Sequence, residues 1–301
     1  MSEHTAGSLR WVEVEAKSVL NRVRGMPFAW SINPYRGCYH RCVFCYARNT
    51  HAYLDRDGVA DWGTLLSVKV NAPEVLRHEL ARRSWQREHV AIGTATDPYQ
   101  PLEGRYRITR RILGELARAR TPAHITTRSP LVVRDVDVLA KLARAAGVTV
   151  CVSLPTLDAA RAKAIEPTVA PPAQRLRTIR TLAQAGIRVG VAVAPVLPEL
   201  TDDPQSLRAV YRAAAEAGAS LAWSSVLRLG AVARESYFTF LRAEFPHLVD
   251  FYAATYRGAY ANAGVARPLE TRIRDARSGI AFDRAPAPIE AEPKLVQLSL
   301  L

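Results

Sequence analysis

The sequence has little cysteine, no long apolar run and no block of like charge. Four cysteines in 301 residues cannot form the dense disulfide framework of a small secreted domain, and a chain this long has no need of one. No stretch approaches the roughly 20 apolar residues of a membrane-spanning helix. The opening segment, Met1 to Arg10, lacks the apolar core of a signal peptide, so the sequence reads as soluble, cytoplasmic and unconnected to a membrane. Without five or six like charges in a row it has no charged arm either. At 49% hydrophobic it can bury one large core, and a single barrel-like α/β domain is an ordinary outcome at this length.

What it has in excess is positive charge. Lys+Arg number 41 against 28 Asp+Glu, a formal net charge of +13 supplied nearly all by arginine. Such a field draws anionic partners, nucleic acid among them, although an arginine-rich solvated surface is the plainer explanation.

Three of the four cysteines fall within eight positions, in Asn33-Pro-Tyr-Arg-Gly37-Cys38-Tyr-His-Arg-Cys42-Val-Phe-Cys45-Tyr-Ala-Arg48. The spacing is Cys-x3-Cys-x2-Cys, on a loop loosened by Gly37 and kept out of a strand by Pro34. Thiolates this close suit one soft metal centre. Three cannot complete a tetrahedral zinc site or ligate all four irons of a four-iron cluster, so a position is filled from elsewhere or left open for chemistry. A zinc site from Cys38, His40, Cys42 and Cys45 would crowd four ligands onto one loop, whereas structural zinc takes its ligands as two separated pairs. Three unliganded exposed thiols would be an oxidation liability, and only distant Cys151 is left as a disulfide partner.

Along the chain, Phe28–Ile32 reads as a short strand delivering the cysteine loop, preceded by an extension over 1–27. Asn71-Ala-Pro73-Glu74 starts a helix running to about Trp85. Strands are expected at 89–96, 124–129, 148–154, 188–195 and 220–227, and helices at 109–120, 134–146, from Asp203-Pro204, and at 233–245. Glycine after alanine at Gly147, Gly186 and Gly218 repeats the sequence helix, glycine, strand. Valines at 148, 150, 152 and at 189, 191, 193 oppose Thr149, Cys151, Ser153 and Gly190, Ala192, Ala194, placing bulk under the helices and leaving room within. Six βα units over 28–247 predict an open (β/α)6 TIM-like barrel. One further helix is expected over 248–263, followed by an extended or disordered tail through Ala285–Ile289, with Val296–Leu301 as a docking strand.

The cysteine spacing followed by aromatic Tyr46 resembles the signature of the radical S-adenosylmethionine superfamily. The resemblance implies an incomplete barrel and a [4Fe-4S] cluster on Cys38, Cys42 and Cys45 whose fourth iron is chelated by S-adenosyl-L-methionine. Reductive cleavage then yields a 5′-deoxyadenosyl radical that abstracts hydrogen from a substrate, with electrons from a reductase or a flavodoxin or ferredoxin. Over about residues 30 to 230 the match is similar to spore photoproduct lyase and related DNA-repair radical enzymes. Its carriers are the cysteine loop, Thr96-Asp97-Pro-Tyr-Gln-Pro, Thr127-Arg128-Ser129-Pro, Val152-Ser153-Leu, Glu166-Pro167, Arg175-Leu176 and Ala194-Pro195-Val-Leu-Pro198. The lyase keeps a hydrogen-donating cysteine near the end of its second strand, where this chain has Gly93-Thr-Ala-Thr96, so that reaction itself is not expected.

Sites in such barrels form where strands stop. A zwitterionic, adenosine-bearing cofactor needs a cation, acceptors and an apolar seat. Arg128 supplies the first, Thr96, Asp97 and Ser153 the second, and Ala194 with Pro195 the third; Tyr46 and Ser129 complete the expected cofactor set. Asp97-Pro98 and Ser129-Pro130 also serve as plain turn formers. Cys151, on the small-residue face beside Ser153, is either a hydrogen donor or a small core hydrophobe. A non-catalytic nucleic-acid-binding module with a structural metal is the rival reading.

Overall fold

The computed structural model describes residues 3–54 and 56–282. In chain order its strands are β1 (Glu3–Ala6), β2 (Leu9–Val14), β3 (Asn21–Arg22), β4 (Trp30–Ile32), β5 (Tyr35–Arg36), β6 (Leu65–Lys69), β7 (Val90–Ile92), β8 (Ala123–Thr127), β9 (Val148–Ser153), β10 (Arg188–Val196) and β11 (Leu221–Val226). The helices are α1 (Ala72–Leu80), α2 (Leu102–Tyr106), α3 (Ile108–Arg118), α4 (Val136–Ala145), α5 (Ala159–Ile165), α6 (Pro172–Gln184), α7 (Pro204–Glu216), α8 (Ala231–Glu244), α9 (Val249–Thr255) and α10 (Ala263–Arg277).

β4, β7, β8, β9, β10 and β11 are the six parallel strands expected of the open barrel, in that spatial order, with β3 antiparallel beyond β4. Among the described residues the sheet does not close; β11 is its free edge. Parallel strands covered by helices need apolar side chains on the outer face. Val90, Ile92, Ile125, Val148, Val150, Val152, Val189, Val191 and Val193 accordingly sit in the main core with Leu113, Leu139, Ile179 and Leu207 of the helices. The opposite face carries the small residues, and in register Ser153 faces Ala192, which faces Trp223.

The second strand is shorter than 89–96. It stops at Ile92 because Gly93 adopts φ +88°, where a Cβ would meet Pro98 Cδ at 2.6 Å and the Thr126 carbonyl at 2.7 Å. That turn moves Thr94–Asp97 off the strand and under the cysteine loop.

Residues 3–14, read from sequence as part of an extension, form β1 and β2, which continue through β6 into β5 as a second, four-stranded sheet. The single helix expected over 248–263 is also corrected. α9 stops at Thr255, Arg228 bridges Tyr260, and Asn262 starts α10 by accepting the Val265 N–H at 3.2 Å. The chain leaves the helix at Tyr256, and the bridge from Tyr260 to Arg228 holds the intervening stretch out of helical form. The expectations for 285–289 and 296–301 lie outside the described residues. No helix among the described residues is long and apolar enough to cross a membrane.

Candidate functional site

The cysteine loop leaves β5 and is clamped from the strand stops below it. Gly37 turns at φ +75°, and a Cβ there would approach Leu66 Cδ2 at 2.8 Å and the Leu65 carbonyl at 3.0 Å. Its carbonyl accepts from Thr96 Oγ1 at 2.6 Å. Tyr39 N donates to Gln100 Oε1 at 3.1 Å, and its carbonyl accepts from Thr168 Oγ1 at 2.7 Å. Val43 N donates to the Ile165 carbonyl at 3.0 Å. Asn33, just ahead of the loop, accepts from Ala95 N at 2.8 Å.

These clamps bring Cys38, Cys42 and Cys45 into one electrostatic neighbourhood, while Cys151 lies on β9. Burial pushes the Cys38 thiol up to about 12, with Asp97 and Cys45 adding to it, and the backbone N–H groups of His40 and Asp97 pull the other way. Cys42 is driven well above the ordinary thiol range by burial, opposed by Arg128. Cys45 is raised by burial too, against hydrogen bonds from the N–H groups of Ala47 and Arg48 and the charge of Arg128. Arg48 is itself held in place by the Cys42 carbonyl at 3.3 Å and the Trp62 ring at 5.6 Å. N–H donors on two sulfurs and guanidiniums beside them are what cluster-bound thiolates require, so the residues fit an iron–sulfur group.

They do not fit a zinc ion drawn from one loop. His40 Nε2 is turned to Asp97 Oδ2 at 3.1 Å, and among the described residues no three His, Cys, Asp or Glu side chains gather round a single-ion position.

Beneath the loop lies a buried charge triad. Arg128 Nε donates to Glu166 Oε1 at 2.6 Å, and Arg175 Nη1 reaches Glu166 Oε2 at 2.7 Å and the Ser153 carbonyl at 2.9 Å. Burial disfavours the Glu166 charge, but the two arginines outweigh it and keep the carboxyl below its usual range. The triad carries a net +1 charge. Arg128, whose guanidinium stands 5.8 Å over the Phe44 ring, is only partly buried. Burial works against its charge, yet Cys42 and Glu166 keep it protonated above the ordinary range.

The sequence-predicted residues separate into two groups. Thr96, Asp97 and Arg128 do meet at the loop, but Thr96 and Asp97 are spent on the protein. Asp97 Oδ1 accepts from Thr127 Oγ1 at 2.7 Å and Tyr99 N at 2.9 Å, and Oδ2 from Arg128 N at 2.7 Å. In this structure both residues brace the loop. Ser129 Oγ accepts from Leu131 N at 3.3 Å and caps the turn Pro130–Asp135, the turn-forming alternative. Tyr46 stays largely exposed, its hydroxyl donating to the Thr94 carbonyl. Ser153 is buried at the end of β9, and Ala194 with Pro195, joined by a cis peptide bond, lies on β10. Cys151 is buried one register step from Ser153, its sulfur hydrogen-bonded by the Trp223 side chain and its thiol pushed up to about 11 by burial. Glu166, Arg175, His40 and Arg48 were not selected from sequence. Glu166-Pro167 and Arg175 stood among the motif residues, but nothing in a sequence marks a charge as buried.

A family model described as the Radical SAM superfamily matches residues 32–209. An uncharacterized protein of Mycobacterium tuberculosis is 41% identical over 290 residues, covering 94% of this chain and 85% of that protein. An uncharacterized protein of Methanocaldococcus jannaschii is 27% identical over 191 residues, 64% of this chain and 69% of that one. Among solved structures, spore photoproduct lyase complexed with dinucleoside spore photoproduct superposes with a TM-score of 0.69 at 14% identity, over 91% of this chain and 80% of that chain. At that identity the likeness is one of fold, a partial TIM barrel. The family model runs from the end of β4 into α7, takes in β7 to β10 and contains every clamp on the cysteine loop, and on that match this chain belongs to the radical SAM superfamily.

Proposed function

We propose that Cys38, Cys42 and Cys45 hold three irons of a [4Fe-4S] cluster and that S-adenosyl-L-methionine binds the fourth, at the mouth of the open barrel. The observation that carries this is the environment of the three thiols: Cys38 and Cys42 buried and Cys45 partly so, met by N–H donors from His40, Asp97, Ala47 and Arg48, and flanked by Arg48 and Arg128. When bound, the group supplies one-electron cleavage of the sulfonium to a 5′-deoxyadenosyl radical that abstracts hydrogen from substrate. The chain's own residues bind, orient and exclude water. Arg128, aimed by Glu166, offers its remaining N–H groups to a carboxylate, while Ser153, Ala194 and Pro195 line the floor on which the adenosine would rest. Electrons would come from a reductase or a flavodoxin or ferredoxin. Cys151, buried on the lumen face, is the candidate hydrogen donor to a substrate radical.

The substrate we propose is nucleic acid, supported by the +13 net charge and by exposed arginines and aromatics around the barrel mouth. A non-catalytic module with a structural metal is not favoured, because the chain matches the Radical SAM family model over residues 32–209. Anaerobic reconstitution with iron and sulfide, then dithionite and S-adenosyl-L-methionine, should yield a brown protein and 5′-deoxyadenosine. A colourless protein that binds zinc and releases no 5′-deoxyadenosine would refute the proposal.

A further inference from the structure

Four large hydrophobic side chains are conspicuously exposed among the described residues: Met26, Tyr46, Trp223 and Tyr260. Trp223 and Tyr260 are linked through one stretch of chain, residues 223–228. Trp223, 43% exposed, stands on the lumen face of β11, the free edge of the sheet, in register with Ala192 and so in the layer of Ser153. Five residues on, Arg228 bridges Tyr260 and lays its guanidinium over that ring at 5.1 Å. Tyr260 is 67% exposed. Two residues beyond Arg228, Gly230 lies against the segment that follows the cysteines, where a Cβ would meet Asn49 Nδ2 at 3.0 Å. No carboxylate among the described residues pairs with Arg228.

We propose that Trp223, Arg228 and Tyr260 form a stacking track for single-stranded nucleic acid, leading from the outer rim of the barrel to the lumen beside the cysteine loop. The proposal rests on the nucleic-acid reading above and supplies the surface it needs. Two exposed rings, one on β11 and one across the bridge from Arg228, with a cation beside the second and exposed Ser225 in place of further apolar groups, match bases on rings and phosphate on arginine. A protein-docking patch would instead be apolar at its centre. Bases must be unstacked to lie on these rings, which selects a single strand over a duplex.

The test is fluorescence anisotropy of a labelled single-stranded oligonucleotide with the full-length protein across a salt series. Trp223→Leu and Tyr260→Ala should each weaken binding about 5- to 150-fold, the equivalent of one lost stack. Trp223→Phe should recover most of the loss, which a merely structural role for the position would not predict from ring stacking. Arg228→Gln should reduce the log-log salt slope by about 0.7, one phosphate contact on a single strand. Iron content and melting temperature report whether each variant is folded. Wild-type binding that all three substitutions leave unchanged overturns the track while leaving the nucleic-acid reading intact. No binding by the wild type at low salt overturns both. A wild type that self-associates and becomes monomeric on substitution makes the surface a self-interface and also overturns the track.

Discussion

Glu166 holds Arg128 by a single 2.6 Å contact from Oε1 to Nε, leaving the rest of the guanidinium directed to the cysteine loop. Its other oxygen is taken by Arg175, which is 1% exposed. Replacing the carboxylate by Glu166→Gln leaves two cations in a dry setting with no counter-charge. The expected cost is about 3–5 kcal/mol, the usual result of breaking a buried ion pair from one side, read from urea denaturation. Arg128→Ala, by contrast, should weaken binding of S-adenosyl-L-methionine in a calorimetric titration while the iron content is retained. An unchanged affinity would remove Arg128 from the cofactor site.

Alanine at Cys38, Cys42 or Cys45 should each abolish the brown chromophore, and Cys151→Ala should preserve it. Iron and sulfide analysis after anaerobic reconstitution decides the matter. Loss of iron in Cys151→Ala would break the three-thiol assignment.

Thr96→Val removes the hydroxyl that serves the Gly37 carbonyl and leaves that buried acceptor unmet. A loss of about 1–3 kcal/mol is expected, with slower cluster loading because the clamp ahead of Cys38 is gone. Equal stability and equal loading rate would show that the hydroxyl does not hold the loop.

The Cys-x3-Cys-x2-Cys spacing, the six βα units and the valine faces were legible because each repeats with a period that sequence displays. The convergence of Asp97 with Arg128 was legible too, since both sit at strand stops. Their partners were not. Asp97 turned out to serve Thr127, Tyr99 and His40, because a buried carboxylate takes whatever donors the fold brings, and those arrive from distant segments. The strands at residues 3–14 were missed because β2 pairs with β6, more than 50 positions away, and an edge strand with mixed polarity has no clean alternation. The break between α9 and α10 depended on Arg228 pairing with Tyr260, a contact that no local pattern encodes.

Acidification should expose the His89–His124 stack, whose centroids lie 5.0 Å apart. Burial first, and the neighbouring His89 second, lower the His124 pKa to about 4, against about 6.5 in an unfolded chain. Between those values the unfolded state binds more protons, so stability is lost as pH falls from about 6.5 towards 4 and is flat above. Thermal melts across that range should show this slope, and His124→Gln should flatten it. A slope identical in the variant would assign the effect to other groups.

The hydrogen bond from Thr168 to the Tyr39 carbonyl spans 129 positions, and Ile165 supports Val43 from nearly as far. All three cysteine thiols thus leave the ribosome long before the residues that clamp their loop. A nascent chain shorter than about Thr168 carries the three cysteines without the frame that orients them. On the proposed ligand assignment, cluster loading would be tied to completion of β9 and the segment beyond it, and an interrupted polypeptide would offer only loose thiols.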